Sequence, residues 1–203
     1  MISNSNFILV TGGLGFIGSH TVIELLKKNK KIIVVDNLSN SSINIKKKIE
    51  KIAKKKIIFF KYDIREKRIE TIFKRYKISS IIHFAGLKSV RESSSKKKKY
   101  FSNNVGGSKN LLFLMKKYNC FNIVFSSSAC VYDEKNSSPI KEKDKLNPKS
   151  NYGRTKLKIE YMLRKFYLEF KNVNVVILRY FNPIGSHKSG IIFENPKLAE
   201  NII

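Results

Sequence analysis

The sequence predicts a doubly wound α/β fold, in which helices cover both faces of a parallel sheet. Apolar, β-branched runs of strand length alternate with longer polar segments of helical pattern along most of the 203 residues. The segments between successive runs are long enough for the helical crossovers that parallel strands require. A glycine-rich turn, Thr11–Gly18, joins the first run to the first helical segment, as is typical of this fold class.

Six apolar runs and five helical segments are expected in alternation. The predicted strands are 7–11, 31–36, 57–61, 79–84, 121–127 and 173–179, each rich in Ile, Val or Phe. The predicted helices are 16–29, 43–55, 66–76, 98–118 and 152–171. The stretches Ser93–Lys99, rich in Ser and Lys, and Asp133–Asn147 are predicted to be solvated loops beside the site. The length suits one α/β domain, which we place at residues 1–180, and is short for two.

Composition excludes several classes of protein. No run of about 18 apolar residues and no signal-peptide pattern is present, so a cytoplasmic protein without a membrane span is expected. Cys120 and Cys130 lie in or beside apolar segments and are expected to be buried free thiols. The three histidines, His20, His83 and His187, have no metal-ligand spacing, so no metal site is expected.

The formal net charge of +26 raises the hypothesis of a nucleic-acid-binding module. The basic residues, mostly lysine, are spread over most of the predicted helices rather than along one stripe. Lys, Ile, Asn and Phe share AT-rich codons, so a base bias of the genome is the favoured explanation. No specific nucleic-acid partner is therefore expected, although a positive surface attracts an anionic nucleotide sugar.

The glycine-rich turn predicts a dinucleotide site. Gly12 suits a tight turn, Gly15 lets the backbone approach phosphates, and Gly18 lets helix and strand pack closely. The following helix then presents unpaired N–H groups and its positive dipole end to an anion. Asp36 ends the next strand eighteen residues after Gly18, where a carboxylate binds ribose hydroxyls and repels a 2′-phosphate. NAD is thus favoured over NADP.

A second pattern indicates proton transfer. Tyr152 and Lys156 are four residues apart, which places a phenol and an ammonium on one face of a helix. A nearby cation stabilises a phenolate, so Lys156 and a positive nicotinamide ring are expected to lower the pKa of Tyr152. Three serines, 126–128, follow an apolar strand and therefore lie at its carboxyl end, where ligands of open α/β sheets bind.

With these motifs the chain resembles the extended short-chain dehydrogenase/reductase family and, within it, the UDP-glucose 4-epimerases. The matching stretches, in family order, are Val10–His20, Asp36–Ser41, His83–Lys88, Phe125–Ala129, Tyr152–Lys156 and Arg179–Pro183. The resemblance runs from about residue 7 to about residue 196, nearly the whole chain.

The resemblance assigns roles residue by residue. It implies that the NAD pyrophosphate is contacted by Gly12, Gly15, Phe16, Ile17 and Gly18. The adenosine ribose is then held by Asp36, with Asn37, Leu38, Ser39, Asn40 and Ser41 alongside. The adenine is flanked by Asp63 and Ile64. It further implies that Phe84, Ala85, Gly86, Leu87, Lys88 and Asn103 line the cofactor, with Lys88 opposite the pyrophosphate, and that Phe181 packs on the nicotinamide. Tyr152 is the implied base, and Lys156 is its electrostatic partner and the anchor of the nicotinamide ribose. Ser128 is the residue that aligns the sugar hydroxyl, and Asn182 is a further substrate contact. Without the resemblance, Phe84 and Phe181 fit core aromatics and Asp63 a strand-end cap.

The implied activity is NAD-dependent 4-epimerisation of a UDP-hexose, UDP-glucose or UDP-galactose, through a 4-keto intermediate. Ala129 and Cys130 stand where the related 4,6-dehydratases carry acidic residues, which favours epimerisation over dehydration. The alternatives are an epimerase of UDP-glucuronate or of a UDP-N-acetylhexosamine, and a non-catalytic NAD-binding remnant. A homodimer is the assembly that the resemblance suggests.

The sequence departs from the family pattern at several positions. Asp133 replaces the usual glycine after Tyr132, Gly106-Gly107-Ser108 replaces Asn-Gly-Thr, and Glu200–Ile203 replaces a substrate-contacting Pro-Asn-Asn-Leu run. Residues 181–203 are expected to begin a truncated substrate-binding domain. The 203-residue chain is accordingly expected to fold its nucleotide domain but to turn over weakly or not at all.

Overall fold

The sheet has six parallel strands in the order β3-β2-β1-β4-β5-β6. A computed structural model describes residues 3–194, and of residues 3–5 only the backbone. The strands are β1 (Ser3–Thr11), β2 (Ile32–Val35), β3 (Ile58–Phe60), β4 (Tyr76–His83), β5 (Asn122–Ser128) and β6 (Asn174–Tyr180). All six predicted strands are confirmed, although β1 and β4 begin earlier than expected. Their first residues are mostly polar and join the ladder through the backbone, which a hydropathy pattern does not detect.

The helices alternate with the strands as predicted. They are α1 (Phe16–Lys27), α2 (Ile43–Ala53), α3 (Glu70–Arg75), α4 (Val90–Ser95), α5 (Lys97–Tyr100), α6 (Gly107–Lys117) and α7 (Asn151–Glu169). A π-helical turn, Phe101–Gly106, joins α5 to α6, so the expected helix 98–118 is continuous but changes its winding. Short 3₁₀ turns, Lys67–Ile69 and Ala129–Val131, precede α3 and follow β5.

The prediction that Ser93–Lys99 forms a loop is wrong, because this stretch belongs to α4 and α5. The Ser89 hydroxyl caps α4 by accepting the backbone N–H of Glu92 at 3.0 Å. The Glu92 carboxylate then accepts hydrogen bonds from Lys96 at 2.8 Å and from Lys99 at 3.2 Å. Local capping and ion pairs thus outweigh the low helical preference of the serines. The stretch 133–147 is irregular, as predicted.

Helices lie on both faces of the sheet, which confirms the doubly wound fold. On one face, α3, α6 and α7 pack over the buried strand residues Leu9, Ile33, Ile81 and Phe125. On the other face, α1 and α2 pack over Val10 and Val34. Adjacent residues of one strand therefore enter opposite cores, as the pleat requires.

The strand order reverses between β1 and β4. From β1 the chain proceeds outwards to β2 and β3, and it then returns to β4 on the other side of β1. Thr11, the last residue of β1, pairs in register with Val35 of β2 and with His83 of β4. The carboxyl ends of these strands therefore open a crevice at one edge of the sheet, which is where open α/β sheets bind their ligands. Among residues 3–194, no helix is both long and apolar enough to cross a bilayer.

Candidate active site

The glycine-rich turn lies in the crevice between β1 and β4. Gly12 has a φ of +69°, and a Cβ atom there would lie 2.6 Å from the backbone nitrogen of Ala85. A Cβ atom on Gly18 would lie 2.3 Å from the carbonyl oxygen of Gly12. Gly15 is less confined, since a Cβ atom would meet only the Gly12 oxygen at 3.3 Å. It is the N-cap residue of α1, which no side chain caps. The start of α1 is thus left to an external acceptor.

Asp36 ties the glycine turn to the loop after β2. Its carboxylate accepts the backbone N–H of Leu14 at 3.1 Å, the N–H of Leu38 at 3.0 Å and the hydroxyl of Ser41 at 2.8 Å. A carboxylate offers about four acceptor positions, so these three bonds leave room for about one more donor. Asn37 turns away from this cluster, and its side-chain amide donates to Asp63 at 3.0 Å. The two other residues of the predicted ribose segment, Ser39 and Asn40, are exposed.

The two residues expected beside the adenine have different environments. Asp63 accepts two hydrogen bonds of 2.8 Å from the Arg65 guanidinium, which lowers the pKa of the carboxyl to about 2. These hydrogen bonds to Arg65 agree with the simpler interpretation of Asp63 as a cap after β3. Ile64 has its side chain in the core, where a Cβ atom on Gly107 would lie 2.4 Å from its Cδ1 atom. The Ile64 side chain is therefore a core group, and its backbone carbonyl accepts a hydrogen bond from the Asn110 side chain at 2.8 Å.

The segment after β4 forms the other wall of the crevice. The N–H groups of Phe84 and Ala85 donate to the Thr11 carbonyl at 2.9 and 3.1 Å. The Leu87 N–H donates to the side-chain oxygen of Asn104 at 2.8 Å, and the Asn104 amide donates back to the Leu87 carbonyl at 3.0 Å. The same amide donates to the Thr155 hydroxyl of α7 at 3.1 Å.

The sequence did not identify Asn104 as a structural residue, whereas the resemblance assigns its neighbour Asn103 to the cofactor. Asn103 is less buried and donates to the Asn104 side chain at 3.0 Å. Both residues lie in the π-helical turn, where the winding differs from 3.6 residues per turn. An α-helical pattern therefore could not tell which asparagine faces inwards.

Three predicted contact residues lie at the rim. Lys88 is exposed and forms an ion pair with Glu194. Phe181 and Asn182 follow β6 at the same sheet edge, and both are exposed; the exposed fraction of Phe181 is 66%. The alternative of Phe181 as a core aromatic is therefore wrong. Phe84 is half-buried and packs against the core below α1, so the corresponding alternative for Phe84 is compatible with the structure.

The three predicted catalytic residues lie together in a buried cluster. Ser128 ends β5, and Tyr152 lies in the first turn of α7, with the Ser128 side chain close enough to influence the pKa of the Tyr152 phenol. The Nζ atom of Lys156 donates to the Ser126 carbonyl at 2.7 Å and lies 5.7 Å from the centre of the Tyr152 ring. All three side chains are buried.

Backbone packing positions the start of α7. The Ser150 hydroxyl caps the helix by accepting the N–H of Gly153 at 3.0 Å. A Cβ atom on Gly153 would lie 2.3 Å from the Cys130 carbonyl, so only glycine allows the helix to approach the turn after β5 this closely. The Tyr152 N–H donates to the Ser93 hydroxyl of α4 at 3.1 Å. Helix α4 thus supports the predicted base.

Burial controls the charges of this cluster. It raises the pKa of Tyr152 to about 12, and the hydrogen bond with Ser128 opposes that rise. It lowers the pKa of Lys156 to about 8. The expected lowering of the Tyr152 pKa is therefore absent from the chain alone, because desolvation outweighs the opposing effect of Ser128. A stable phenolate requires a further positive charge.

The two cysteines differ from each other. Cys120 is buried, which raises the pKa of its thiol to about 11. The prediction that Cys130 is also buried is wrong: its thiol is free and exposed in the turn after β5. The apolar run that precedes Cys130 ends at Phe125, so the turn, and not the strand, determines its exposure. Among the described residues, no group of His, Cys, Asp or Glu side chains could hold a metal ion.

Comparisons with known proteins agree with this geometry. Residues 8–202 match the NAD dependent epimerase/dehydratase family. A UDP-glucose 4-epimerase of Dictyostelium discoideum is 48% identical over 195 residues, which cover 96% of this chain and 57% of that protein. The crystal structure of UDP-glucose 4-epimerase from Bifidobacterium longum in complex with NAD+ and UDP has a TM-score of 0.91 and 42% identity, and the match covers 94% of this chain and 58% of that one. The enzyme from Stenotrophomonas maltophila, with bound NAD and formylated UDP-arabinopyranose, has a TM-score of 0.92 and 37% identity over 96% of this chain and 58% of that one.

The chain thus spans a little over half the length of these relatives. The match nevertheless extends from the first strand past the last one, and it includes the glycine turn and the buried cluster of Ser128, Tyr152 and Lys156. The fold, the topology and the sequence match agree, and the chain belongs to the NAD dependent epimerase/dehydratase family.

Proposed function

We propose that this chain holds NAD in the crevice between β1 and β4 and carries the proton-transfer residues of a UDP-hexose 4-epimerase. One observation carries the proposal. The buried cluster of Ser128, Tyr152 and Lys156 lies at the same sheet edge as the glycine turn. A sugar seated against the cluster would therefore meet a nucleotide that extends from the turn.

The residues present fit NAD. The turn at Gly12 and Gly15 leaves the start of α1 without a side-chain cap, which suits a pyrophosphate. Asp36 retains acceptor capacity for a ribose hydroxyl, and its charge disfavours the 2′-phosphate of NADP. Gly86 lies beside Asn104 and Lys156, since a Cβ atom there would lie 3.3 Å from the Asn104 Oδ1 atom and 3.8 Å from the Lys156 Nζ atom. When bound, NAD would supply a reversible hydride acceptor and a positive ring.

The catalytic residues have complementary tasks in this proposal. Ser128 aligns the sugar 4-hydroxyl through its own hydroxyl group. Tyr152 receives the proton of that hydroxyl and later returns it to the 4-keto sugar. The Lys156 ammonium stabilises the phenolate, together with the positive charge that arrives with the cofactor.

The substrate class is a nucleoside-diphosphate sugar. UDP-glucose and UDP-galactose are favoured because the relatives named above are UDP-glucose 4-epimerases. Phe181 and Asn182 project from the sheet edge, where they would reach the substrate. The formal charge of +26 would attract its diphosphate. A different UDP-sugar is the second candidate, since one structural relative contains formylated UDP-arabinopyranose.

The cofactor proposal is tested by titrating NAD and NADP into the purified chain. We expect NAD to bind at least about tenfold more tightly, and Asp36→Ala to abolish that preference. Ser41→Ala is the matched control, because it removes one hydrogen bond of the Asp36 carboxylate and leaves the charge. Equal affinity for the two cofactors in the wild-type chain would contradict the proposed role of Asp36.

The activity is tested on the chain itself and on a chimera in which residues 1–194 replace the matching part of the Dictyostelium discoideum relative. We expect the chimera to convert UDP-galactose to UDP-glucose, as monitored by NMR. Conversion of another UDP-sugar in preference to UDP-galactose would favour the second candidate. A folded, NAD-loaded chimera without any epimerisation would refute the proposed activity.

A further inference from the structure

Tyr152, Lys156 and a third ionisable residue, Glu160, are spaced four residues apart along α7. The three side chains therefore project from the same face of the helix, one turn after another. All three are buried, and Glu160 has an exposed fraction of 0%. A fully buried carboxylate is costly unless it is paired, so its partners reveal what it holds together.

Glu160 bonds to two neighbouring strands at once. Its Oε1 atom accepts the Ser127 hydroxyl of β5 at 2.5 Å and the Nε–H of Arg179 at 3.1 Å. Its Oε2 atom accepts a second guanidinium hydrogen bond from Arg179 at 2.8 Å. Ser127 and Arg179 are themselves register partners across β5 and β6. Glu160 thus fixes α7 at the seam between two strands.

Arg179 is anchored in turn by the loop that follows β5. Its Nη1 atom donates to the Tyr132 hydroxyl at 3.0 Å and to the Glu142 carbonyl at 2.8 Å. The guanidinium also stacks over the Tyr132 ring, 4.8 Å from its centre. Strand β5 therefore holds Glu160 and the loop after β5 holds Arg179, which makes the pair a fixed point for the helix.

The bonds from α7 to β5 converge on consecutive residues. Lys156 binds the Ser126 carbonyl and Glu160 binds the Ser127 hydroxyl, and the next side chain of β5, Ser128, lies close enough to Tyr152 to influence the pKa of its phenol. We propose that the Glu160–Arg179 pair is a positioning device, which sets the height of α7 against β5 so that Tyr152, Lys156 and Ser128 meet. This inference rests on the proposed function, in which Tyr152, Lys156 and Ser128 act together on the sugar. Its geometry does not depend on the substrate.

Because the Glu160–Arg179 pair carries no net charge, it does not itself shift the pKa of Lys156. The Lys156 amine lies 5.7 Å from the centre of the Tyr152 ring and interacts electrostatically with His83 of β4, and Glu160 with its partner Arg179 follows one turn further along α7. Burial alone lowers the pKa of Lys156 in the presence of the intact pair. Because Glu160 and Arg179 neutralise each other, neither adds a net charge next to the amine. Removing one partner would leave the charge of the other unopposed. The partner that is removed then determines whether the pKa of Lys156 rises or falls.

The test follows the Lys156 amine directly, by NMR titration of the chain labelled at the lysine ε-carbons. The Lys156 signal is the one with a pKa of about 8 that disappears in Lys156→Met. We expect Glu160→Gln to lower this pKa by at least about half a pH unit, because Arg179 is then unopposed. Arg179→Gln should raise it by a similar amount, and the double variant should return it close to the wild-type value. A merely structural pair would not give opposite shifts.

A second readout is NAD affinity, with a matched control on the same helix. Glu169→Gln removes an exposed ion pair of 2.8 Å with Lys116 near the end of α7, and we expect it to leave the affinity unchanged. Glu160→Gln should weaken NAD binding about tenfold. If this variant does not fold, Ser127→Ala removes only the bond from β5 and should weaken NAD binding in the same direction.

The two proposals fail differently. A wild-type chain that does not bind NAD would refute the proposed function, and the Lys156 titration would still report on the pair. An unchanged Lys156 pKa in both folded single variants, or undiminished NAD affinity in Ser127→Ala, would overturn the positioning role.

Discussion

The amine of Lys156 lies 5.7 Å from the centre of the Tyr152 ring, and both groups are buried. Burial lowers the pKa of Lys156 to about 8 and raises the pKa of Tyr152 to about 12. Burial thus favours the neutral form of both groups more than water does. The predicted acid–base pair is therefore poised in the chain, and its ionisation depends on what binds beside it.

The first prediction concerns the pH dependence of NAD binding. Lys156 carries its proton below a pH of about 8, so we expect the affinity for NAD to fall as the pH rises through that value. Lys156→Met should weaken binding about tenfold at pH 7 and remove most of this dependence. Lys156→Arg, which keeps the charge at every pH tested, is the control. Fluorescence titrations between pH 6 and pH 9.5 measure the effect, and an unchanged pH profile in Lys156→Met would refute it.

Much of this site could be predicted from the order of elements along the chain. Gly12, Asp36, Ser128 and Phe181 each lie at or just after the end of a strand, and parallel strands bring those ends to one edge. The local hydropathy pattern shows the alternation of strands and helices, which is why all six strands could be predicted. The helical pattern of α7 likewise placed Tyr152 and Lys156 on one face.

The remaining features depend on contacts between residues distant in sequence. Glu160 and Arg179 are nineteen residues apart, and Asn104 and Thr155 are fifty-one apart, so no local pattern pairs them. Helix α4 was missed because its cap and ion pairs, and not an apolar stripe, stabilise it. The raised pKa of Tyr152 reflects its depth in the fold, which a spacing of four residues does not reveal.

The second prediction separates the glycines of the turn. Gly15→Ala should leave the fold intact, because the new Cβ atom would meet only one atom, at 3.3 Å. It should nevertheless weaken NAD binding at least about tenfold, since the methyl group would occupy the approach to the phosphates. Gly18→Ala would place a Cβ atom 2.3 Å from the Gly12 oxygen and should lower the melting temperature.

Gly106→Ala is the control for both variants. Gly106 lies at the end of the π-helical turn, and a Cβ atom there would have no neighbouring atom within 4 Å, so alanine should be neutral or stabilising. Thermal unfolding and NAD titration of the three variants give the comparison. Full NAD affinity in Gly15→Ala would contradict the assignment of this turn to the pyrophosphate.

The third prediction concerns stability in acid. His83 is fully buried between the hydroxyls of Thr11, 2.7 Å from Nδ1, and Ser108, 2.9 Å from Nε2. Ser108 donates its own hydrogen to the Asn104 carbonyl, so Nε2 donates to Ser108 and Nδ1 accepts from Thr11, as a neutral imidazole requires. Burial lowers the pKa of His83 to about 3.

Because the unfolded chain binds a proton at His83 from about pH 6.5 downwards, the folded state loses stability as the pH falls from there towards 3. The full effect is on the order of 5 kcal/mol. Urea unfolding at pH 7 and pH 4.5 should show a smaller pH effect in His83→Gln than in the wild-type chain. The same loss of stability in both proteins would show that His83 is not responsible.

The fourth prediction concerns the two thiols. Cys130 is exposed, whereas Cys120 is buried and the pKa of its thiol is raised to about 11. One thiol per chain should therefore react promptly with a maleimide in the native protein, and the second only after unfolding. Cys130→Ser should remove the prompt reaction. Prompt labelling of Cys120 in that variant would contradict the burial of this side chain.

In the proposed function, Ser128, Tyr152 and Lys156 carry out epimerisation at C4 of a UDP-hexose with NAD. The most direct measurement follows UDP-glucose deuterated at C4 through the chimera described above. Because hydride would leave C4 and return to the opposite face of the same carbon, we predict UDP-galactose that retains the deuterium at C4. Tyr152→Phe should form this product at least about a hundredfold more slowly. Product that has lost the deuterium, or undiminished conversion by Tyr152→Phe, would contradict the proposed activity.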